Sequence, residues 1–301
     1  MKKILVIGSM GFIGSAAVRY YKNKGYAVAG CDVIGNDKAI DFFKVEKKEP
    51  NYNKVFKQVS ASICLNASGA ANVPLSFDHP LMDYELNVIN IMKMLEAIRI
   101  SNPKTAFINI SSAAVYGTPS QLPVSEDADV TPISPYGWHK RQSELLCNEY
   151  ANLYGLKTCS MRVFSAYGPG LKKQLFWDLY QKTREGNSIE LLGTGDESRD
   201  YIFAEDVVRA SEIIAINAKL QGEVINVATG IETTIREAAQ TFIEALGWDG
   251  EISFSGSKRK GDPENWCADI SKIKEMGYSS EFSLDAGLKA YCRWLQDLQQ
   301  L

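Results

Sequence analysis

Lys3-Ile4-Leu5-Val6-Ile7 runs straight into Gly8-Ser9-Met10-Gly11-Phe12-Ile13-Gly14, and the fold is decided where the two meet. The apolar residues from Ile4 to Ile7 do not alternate with polar ones, which is the pattern of a strand covered on both faces. The glycines that follow, spaced GxxGxxG, open a helical stretch over Phe12–Lys24 that stops before Gly25. Glycines at such a turn let the backbone double back and come close to an anion, and the unpaired N–H groups and dipole of the helix start favour negative charge.

Working outward, a second strand over Tyr26–Cys31 ends at Asp32, about 18 residues after Gly14. A carboxylate there accepts hydrogen bonds from the ribose of a dinucleotide. Asp32 would repel a 2′-phosphate and no arginine follows it closely, so the pattern favours NAD over NADP. A solvated turn residue ahead of Gly35-Asn36-Asp37 is the other reading of the same carboxylate. Further strand-like runs over Ala61–Asn66, Ala106–Ile110 and Lys157–Val163 alternate with helical stretches over Pro80–Ser101 and Tyr136–Tyr154. That rhythm predicts βαβ units and an α/β fold: a Rossmann-like, doubly wound parallel sheet followed by a smaller α/β lobe. The expected division is residues 1–165 for the dinucleotide-binding part, with 200–228 returning to it as Asp206–Ala218 and Glu223–Val227. Residues 166–199 and 229–301 are then the substrate lobe, with loop signals at Gly168-Pro169-Gly170, Gly193–Gly195 and Gly256–Pro263.

Composition narrows the class. The chain has 301 residues, 45% of them hydrophobic and 23% charged, which is enough for a large core. A net charge of -3 without a long basic run argues against nucleic acid or a membrane surface as partner. The first apolar run reaches glycine too soon for a signal peptide, and no later run is apolar enough to span a bilayer, so a cytoplasmic location is expected. Six cysteines form no CxxC pair and no metal-like spacing with His79 and His139, the only histidines. They read as reduced thiols, with no metal site.

Tyr136-Gly137-Trp138-His139-Lys140 puts a phenol and an ammonium on one face at the start of a helix. A cation beside a phenol stabilises phenolate and makes tyrosine a workable acid or base. A surface helix with a snorkelling lysine is the blander reading. Upstream, Phe107-Ile108-Asn109-Ile110 ends in Ser111-Ser112, at the strand end where parallel sheets bind ligands.

On these pieces the chain resembles the extended short-chain dehydrogenase/reductase family, in particular its nucleotide-sugar epimerases. The likeness extends over Asn66-Ala67-Ser68, Asn87, Ser111–Gly117, Ser134–Lys140, Arg162–Pro169, Gly193–Ile202, Glu223–Gly230 and Arg259–Asp262. It implies NAD as cofactor, held by Gly8, Gly11, Phe12, Ile13, Gly14, Asp32, Ala67, Asn87, Tyr136 and Lys140. Tyr136 is then the acid/base, Lys140 lowers its pKa and holds the nicotinamide ribose, and Ser112 bonds the reacting sugar hydroxyl. Ser112, Ser165, Arg199, Arg259 and Asp262 are the expected contacts to a nucleotide-diphosphate sugar, with arginine's planar fork suited to the diphosphate. Asp262 either binds a ribose or orients Arg259.

The chain also departs from the family pattern. Ala113 and Ala114 stand where dehydrating and decarboxylating relatives carry an acid, which leaves epimerisation at C4 through a 4-keto sugar as the expected reaction. A 4-ketoreductase is the alternative, and an inactive NAD-binding regulatory protein the remote one. Ser165 replaces the usual asparagine, and Glu46 stands where an aspartate near the adenine is usual. Phe176, Trp177 and Tyr180 read as core more than as a base-stacking platform. Apolar residues along Met82–Ile98 and Leu145–Leu153 suggest a homodimer through paired helices, or internal burial.

Overall fold

The structure, a computed structural model, describes residues 2–35, 38, 40–257 and 264–299; the expected substrate contacts Arg259 and Asp262 lie outside the described residues. The first half runs β1 (Lys3–Ile7), α1 (Phe12–Asn23), β2 (Ala27–Asp32), β3 (Asp41–Lys44), α2 (Tyr52–Gln58), β4 (Ile63–Asn66), α3 (Val73–Asp78), α4 (Pro80–Tyr84), α5 (Asn90–Ser101), β5 (Ala106–Ser112), α6 (Pro135–Tyr154) and β6 (Thr158–Val163). There follow β7 (Ser165–Tyr167), α7 (Gln174–Thr183), β8 (Ser188–Leu191), β9 (Ser198–Arg199), β10 (Tyr201–Phe203), α8 (Ala204–Asn217) and β11 (Gln221–Val227). The chain ends with β12 (Thr233–Thr234), α9 (Ile235–Leu246), β13 (Glu251–Phe254), α10 (Ser271–Glu275) and α11 (Leu284–Gln299).

Among the described residues seven strands form one parallel sheet in the order β11-β6-β5-β4-β1-β2-β3. The winding reverses beside β1, so a crevice opens between the carboxyl ends of β1 and β4. Residues Ile4 to Ile7 are almost wholly buried, as a strand with helices on both faces must be. One face packs against α1 and α8 through Val6, Ala17, Ile108 and Val207, the other against α2 and α5 through Leu5, Phe56, Leu95 and Phe107. All six cysteines are buried and unpaired. Burial pushes the thiols up, Cys31 and Cys147 to about 12 and Cys267 and Cys292 to about 11.

Local chemistry sets the helix ends. Ser134 caps α6 by accepting the Gly137 N–H at 3.1 Å, Pro135 occupies the first turn, and Gly155 closes the helix at φ 66°. Pro80–Ser101, which reads as one helix, is interrupted by a π turn at Glu85–Ile89 that carries Asn87 inward. The edge strand β3 and the short helix α2 have no counterpart in the sequence reading.

After β6 the smaller elements pair as β7 with β10, β9 with β12 and β8 with β13, backed by α7, α9 and α11. Their core is aromatic: Tyr167, Phe176, Tyr201, Phe203, Phe242 and Tyr291 meet at ring distances of 5.3 to 6.3 Å. Phe176 and Tyr180 are buried in this core. β11 leaves the small elements to pair with β6 in the main sheet.

An ionic pair is sealed between α6 and β6. Arg162 on β6 is 1% exposed and Glu144 on α6 is 2% exposed. The guanidinium donates from Nε to Glu144 Oε1 at 3.0 Å and from Nη2 to Oε2 at 2.9 Å, and from Nη1 to the Tyr116 hydroxyl at 2.9 Å. Ser111 donates to the same carboxylate at 2.7 Å, and Tyr116 donates onward to Asn226 at 2.7 Å. Arg162→Leu should therefore cost about 3–5 kcal/mol by leaving the buried carboxylate only Ser111 and the half-exposed Arg141, 3.1 Å from Oε2, whereas Arg162→Leu with Glu144→Leu should recover much of that loss. Urea unfolding of the two variants beside the parent protein checks this.

Candidate active site

The β1–α1 turn is crowded with backbone. Gly8 sits at φ 78°, and a Cβ there would lie 2.7 Å from the Ser68 nitrogen and 2.8 Å from the Ala67 carbonyl oxygen. A Cβ on Gly14 would drive into the carbonyl oxygen of Gly8. Gly11 closes the turn by donating to Gly8 O at 3.0 Å and caps α1 without a side chain. The first amides of α1, at Phe12, Ile13 and Gly14, thus face the crevice without intrahelical partners. Asp32 stands at the tip of β2, where its carboxylate accepts from the Met10 N–H at 2.9 Å and the Val33 N–H at 2.7 Å, fixed against the glycine turn. A side-chain-free cradle at a helix start, with a carboxylate on the neighbouring strand, fits the pyrophosphate and adenosine ribose of NAD.

Ala67 extends β4 across the crevice, its N–H donating to Ile7 O at 2.9 Å. Asn87 lies behind that loop: its amide is buried, and a Cβ on Gly69, at φ 114°, would lie 2.5 Å from Asn87 Oδ1. Asn87 Nδ2 donates to Asp83 Oδ1 at 3.1 Å, and the same oxygen is 2.6 Å from His139 Nδ1. Glu46, after the edge strand, is exposed.

Across the crevice the structure brings Ser112, Tyr136 and Lys140 together. Ser112 ends β5, and its Oγ accepts the Ala114 N–H at 3.2 Å. Gly137 sets the approach of α6, because a Cβ there would meet Ala114 O at 2.5 Å. Ser76 of α3 accepts the Tyr136 N–H at 3.1 Å. Lys140 donates to Ile110 O at 2.9 Å, with its ammonium 5.8 Å from the Tyr136 ring centroid. Tyr136 is 8% exposed and Lys140 is 5% exposed. Burial pushes the phenol up to about 12, with the Ser112 hydroxyl opposing and the Asp83 charge reinforcing. Burial pulls the Lys140 ammonium down to about 8, against the charges of Asp83 and Glu144 and together with that of Lys173. Against the expectation that Lys140 lowers the phenol's pKa, burial dominates and raises it, and the opposing lowering comes from Ser112. Ala113 and Ala114 are buried, so no carboxylate flanks Ser112 there.

On the far side Ser165 begins β7, partly buried, with its N–H on Asp200 O at 3.0 Å. Arg199 donates to Ser198 O at 2.7 Å and Glu264 O at 3.1 Å and lies 5.6 Å from the Trp266 ring. Asp200, beside it, is fully buried and accepts from Thr229, Gly230 and Ala268. Sequence reasoning missed Asp83, His139, Ser76 and Gly137. Only Asp83 left a trace, four residues before Asn87 on one helical face. Among the described residues no group of three or more His, Cys, Asp or Glu could hold a metal ion, and no helix is long and apolar enough to cross a membrane.

A doubly wound sheet whose dinucleotide cradle faces a serine, a tyrosine and a lysine defines a protein of the extended short-chain dehydrogenase/reductase type. Residues 4–228 match the model of the NAD dependent epimerase/dehydratase family, and the chain belongs to that family. It is 27% identical to the UDP-glucose 4-epimerase of Mycolicibacterium smegmatis over 314 residues, covering 99% of this chain and 100% of that one. A UDP-glucose 4-epimerase of Thermotoga maritima, solved with UDP-glucose, superposes with a TM-score of 0.90 at 28% identity over 99% of both chains. The UDP-glucuronic acid 4-epimerase of Bacillus cereus, solved with UDP-glucuronic acid and NAD, gives 0.87 at 28% identity over 98% of this chain and 99% of that one.

Asp83→Asn should withdraw the largest charge that holds the Lys140 proton. Its ammonium, already lowered, titrates lower still, and activity that needs the cation is lost at lower pH as pH rises. A pH profile of kcat for the variant and the parent, with the alkaline limb displaced to lower pH in the variant, checks this.

Proposed function

We propose that this protein inverts C4 of a nucleotide-diphosphate sugar through a 4-keto intermediate, with NAD kept through the cycle. The observation that carries the reading is the set Ser112, Tyr136 and Lys140 at the mouth of the β1–β4 crevice, next to alanines in place of an acid. NAD, when bound, would supply the hydride acceptor and donor. Tyr136 takes the proton of the C4 hydroxyl and returns it to the inverted oxygen. Ser112 holds that oxygen by hydrogen bond, and Lys140 keeps positive charge near the phenol and orients the nicotinamide ribose. Desolvation around Tyr136 and Lys140 strengthens each of these charge interactions. Inversion requires the sugar to present both faces of C4 in turn, so the substrate must be held by its nucleotide rather than by its sugar.

In this reading residues 1–165 and 200–228 form the NAD-binding part, and 166–199 with 229–301 hold the nucleotide. Ser165, Arg199, Arg259 and Asp262 serve the diphosphate and ribose. The UDP-sugars named for the relatives support uridine as the base to try first. A homodimer fits the exposed apolar residues Met92 and Ile100 on α5 with Leu145 and Leu153 on α6, and the cytoplasm is the compartment of this reading.

Incubation with UDP-, GDP-, dTDP- and CDP-sugars, without added reductant, should yield a C4 epimer by NMR. Oxidation of NADH or NADPH by supplied 4-keto sugars, with no epimer from the panel, would make the protein a 4-ketoreductase. Tyr136→Phe should lower kcat by about 10²–10⁴-fold while bound NAD is retained; full activity of that variant would refute the assignment.

A further inference from the structure

Lys173 has no part in the chemistry above, yet it reaches into the same crevice. It precedes α7 in a fully extended conformation, φ -164° and ψ 175°, and its ammonium donates to Ala71 O at 2.6 Å across 102 residues of chain. Ala71 belongs to the loop leaving β4, whose Ala67 and Ser68 crowd Gly8. Three residues before Lys173, Gly170 passes over the start of α1, where a Cβ on it would lie 3.6 Å from the Phe12 ring. Between the two, Leu171 is pinned by the Tyr291 hydroxyl, which donates to Leu171 O at 2.6 Å. The strand-to-helix connection 168–173 is therefore a strap laid from the C-terminal lobe over the glycine cradle.

The ammonium at the end of this strap is out of place for a surface lysine. It is partly buried, burial lowers its pKa, and its charge is felt at Lys140, where it opposes protonation. Among the described residues no carboxylate pairs with it. Its one backbone partner leaves two ammonium hydrogens to donate. Gln174, directly after it, holds φ 66°, a left-handed conformation unusual for a residue other than glycine, which turns the chain into α7 while Lys173 stays aimed at the loop. Lys173 and the start of α1 thus converge on one crevice, and whereas Lys140 has the charges of Asp83 and Glu144 near it, no carboxylate among the described residues pairs with Lys173.

We propose that Lys173 is the cation by which the C-terminal lobe grips a diphosphate in this crevice, and that the diphosphate is the pyrophosphate of NAD lying on the α1 N-terminus. This rests on the NAD-binding reading given above. The substrate's diphosphate has the same chemistry. The strap's passage over Phe12 and its bond to the β4 loop, both walls of the dinucleotide cradle, favour the cofactor.

Binding to nucleotide-stripped protein, followed by calorimetry, separates the two sources. Lys173→Met should weaken both NAD and ADP-ribose about tenfold, leave UDP within twofold of the parent, and keep the parent's melting midpoint. Lys173→Arg should restore most of the affinity for NAD, and the difference between parent and Lys173→Met should shrink as salt is raised. Unchanged NAD and ADP-ribose affinity in Lys173→Met overturns the proposal, as does a loss confined to UDP, which would assign the lysine to the substrate. Parent protein that binds neither NAD nor ADP-ribose would instead bring down the NAD-binding reading and this inference with it.

Discussion

The bidentate pair between Arg162 and Glu144 is the contact on which the site's geometry turns. It joins the middle of α6 to β6, while Ser111 ties the same carboxylate to β5 one residue before Ser112. Through Tyr116 and Asn226 the network continues to β11 and, by Asn226, to the carbonyls of Val124 and Asp269. A helix that carries both Tyr136 and Lys140 is thereby held in rotation and height against the strand that carries Ser112. Apolar residues could hold the helix equally firmly but would leave its rotation less determined. Directional bonds in a dry interior define that angle, because each misplaced partner leaves a charge unsolvated.

Around this frame the crevice presents backbone on one side and cations on the other. The glycine turn excludes side chains so that amides can face an anion; the opposite wall brings Lys140 and Lys173 toward the same space. An overall charge of -3 gives no hint of this, since the positive groups are few and concentrated. The high phenol and depressed ammonium follow from the same dryness. Desolvation penalises both ions in the crevice and strengthens their interactions with opposite charge.

What could be read from the sequence was mostly what is local. The apolar strand, the glycine turn and the carboxylate at position 32 are neighbours along the chain, and the crossing order follows from alternating strands and helices. The Tyr136–Lys140 spacing is one helical turn and needs no tertiary knowledge. The π turn at Glu85–Ile89 was hidden because one inserted residue barely disturbs an apolar pattern read at 3.6 residues per turn. Edge strand β3, Asp41–Lys44, has polar ends and half-buried phenylalanines, too short a run to signal itself. Asp83 and His139 lie 56 residues apart and meet only when α6 packs against α4. The phenol's raised pKa escaped for a different reason: residue types reveal that a lysine is near, but not how little water is.

The six buried thiols turn the folded protein into its own strain gauge. Cys31, Cys64, Cys147 and Cys159 lie in the two faces of the main sheet, and Cys292 lies in the aromatic core of the smaller elements. With pKa values pushed far above neutrality, almost none is thiolate while the chain is closed. Alkylating reagents and oxidants therefore meet a nucleophile only when some segment opens. The order in which the six positions react ranks the segments by the free energy of opening them.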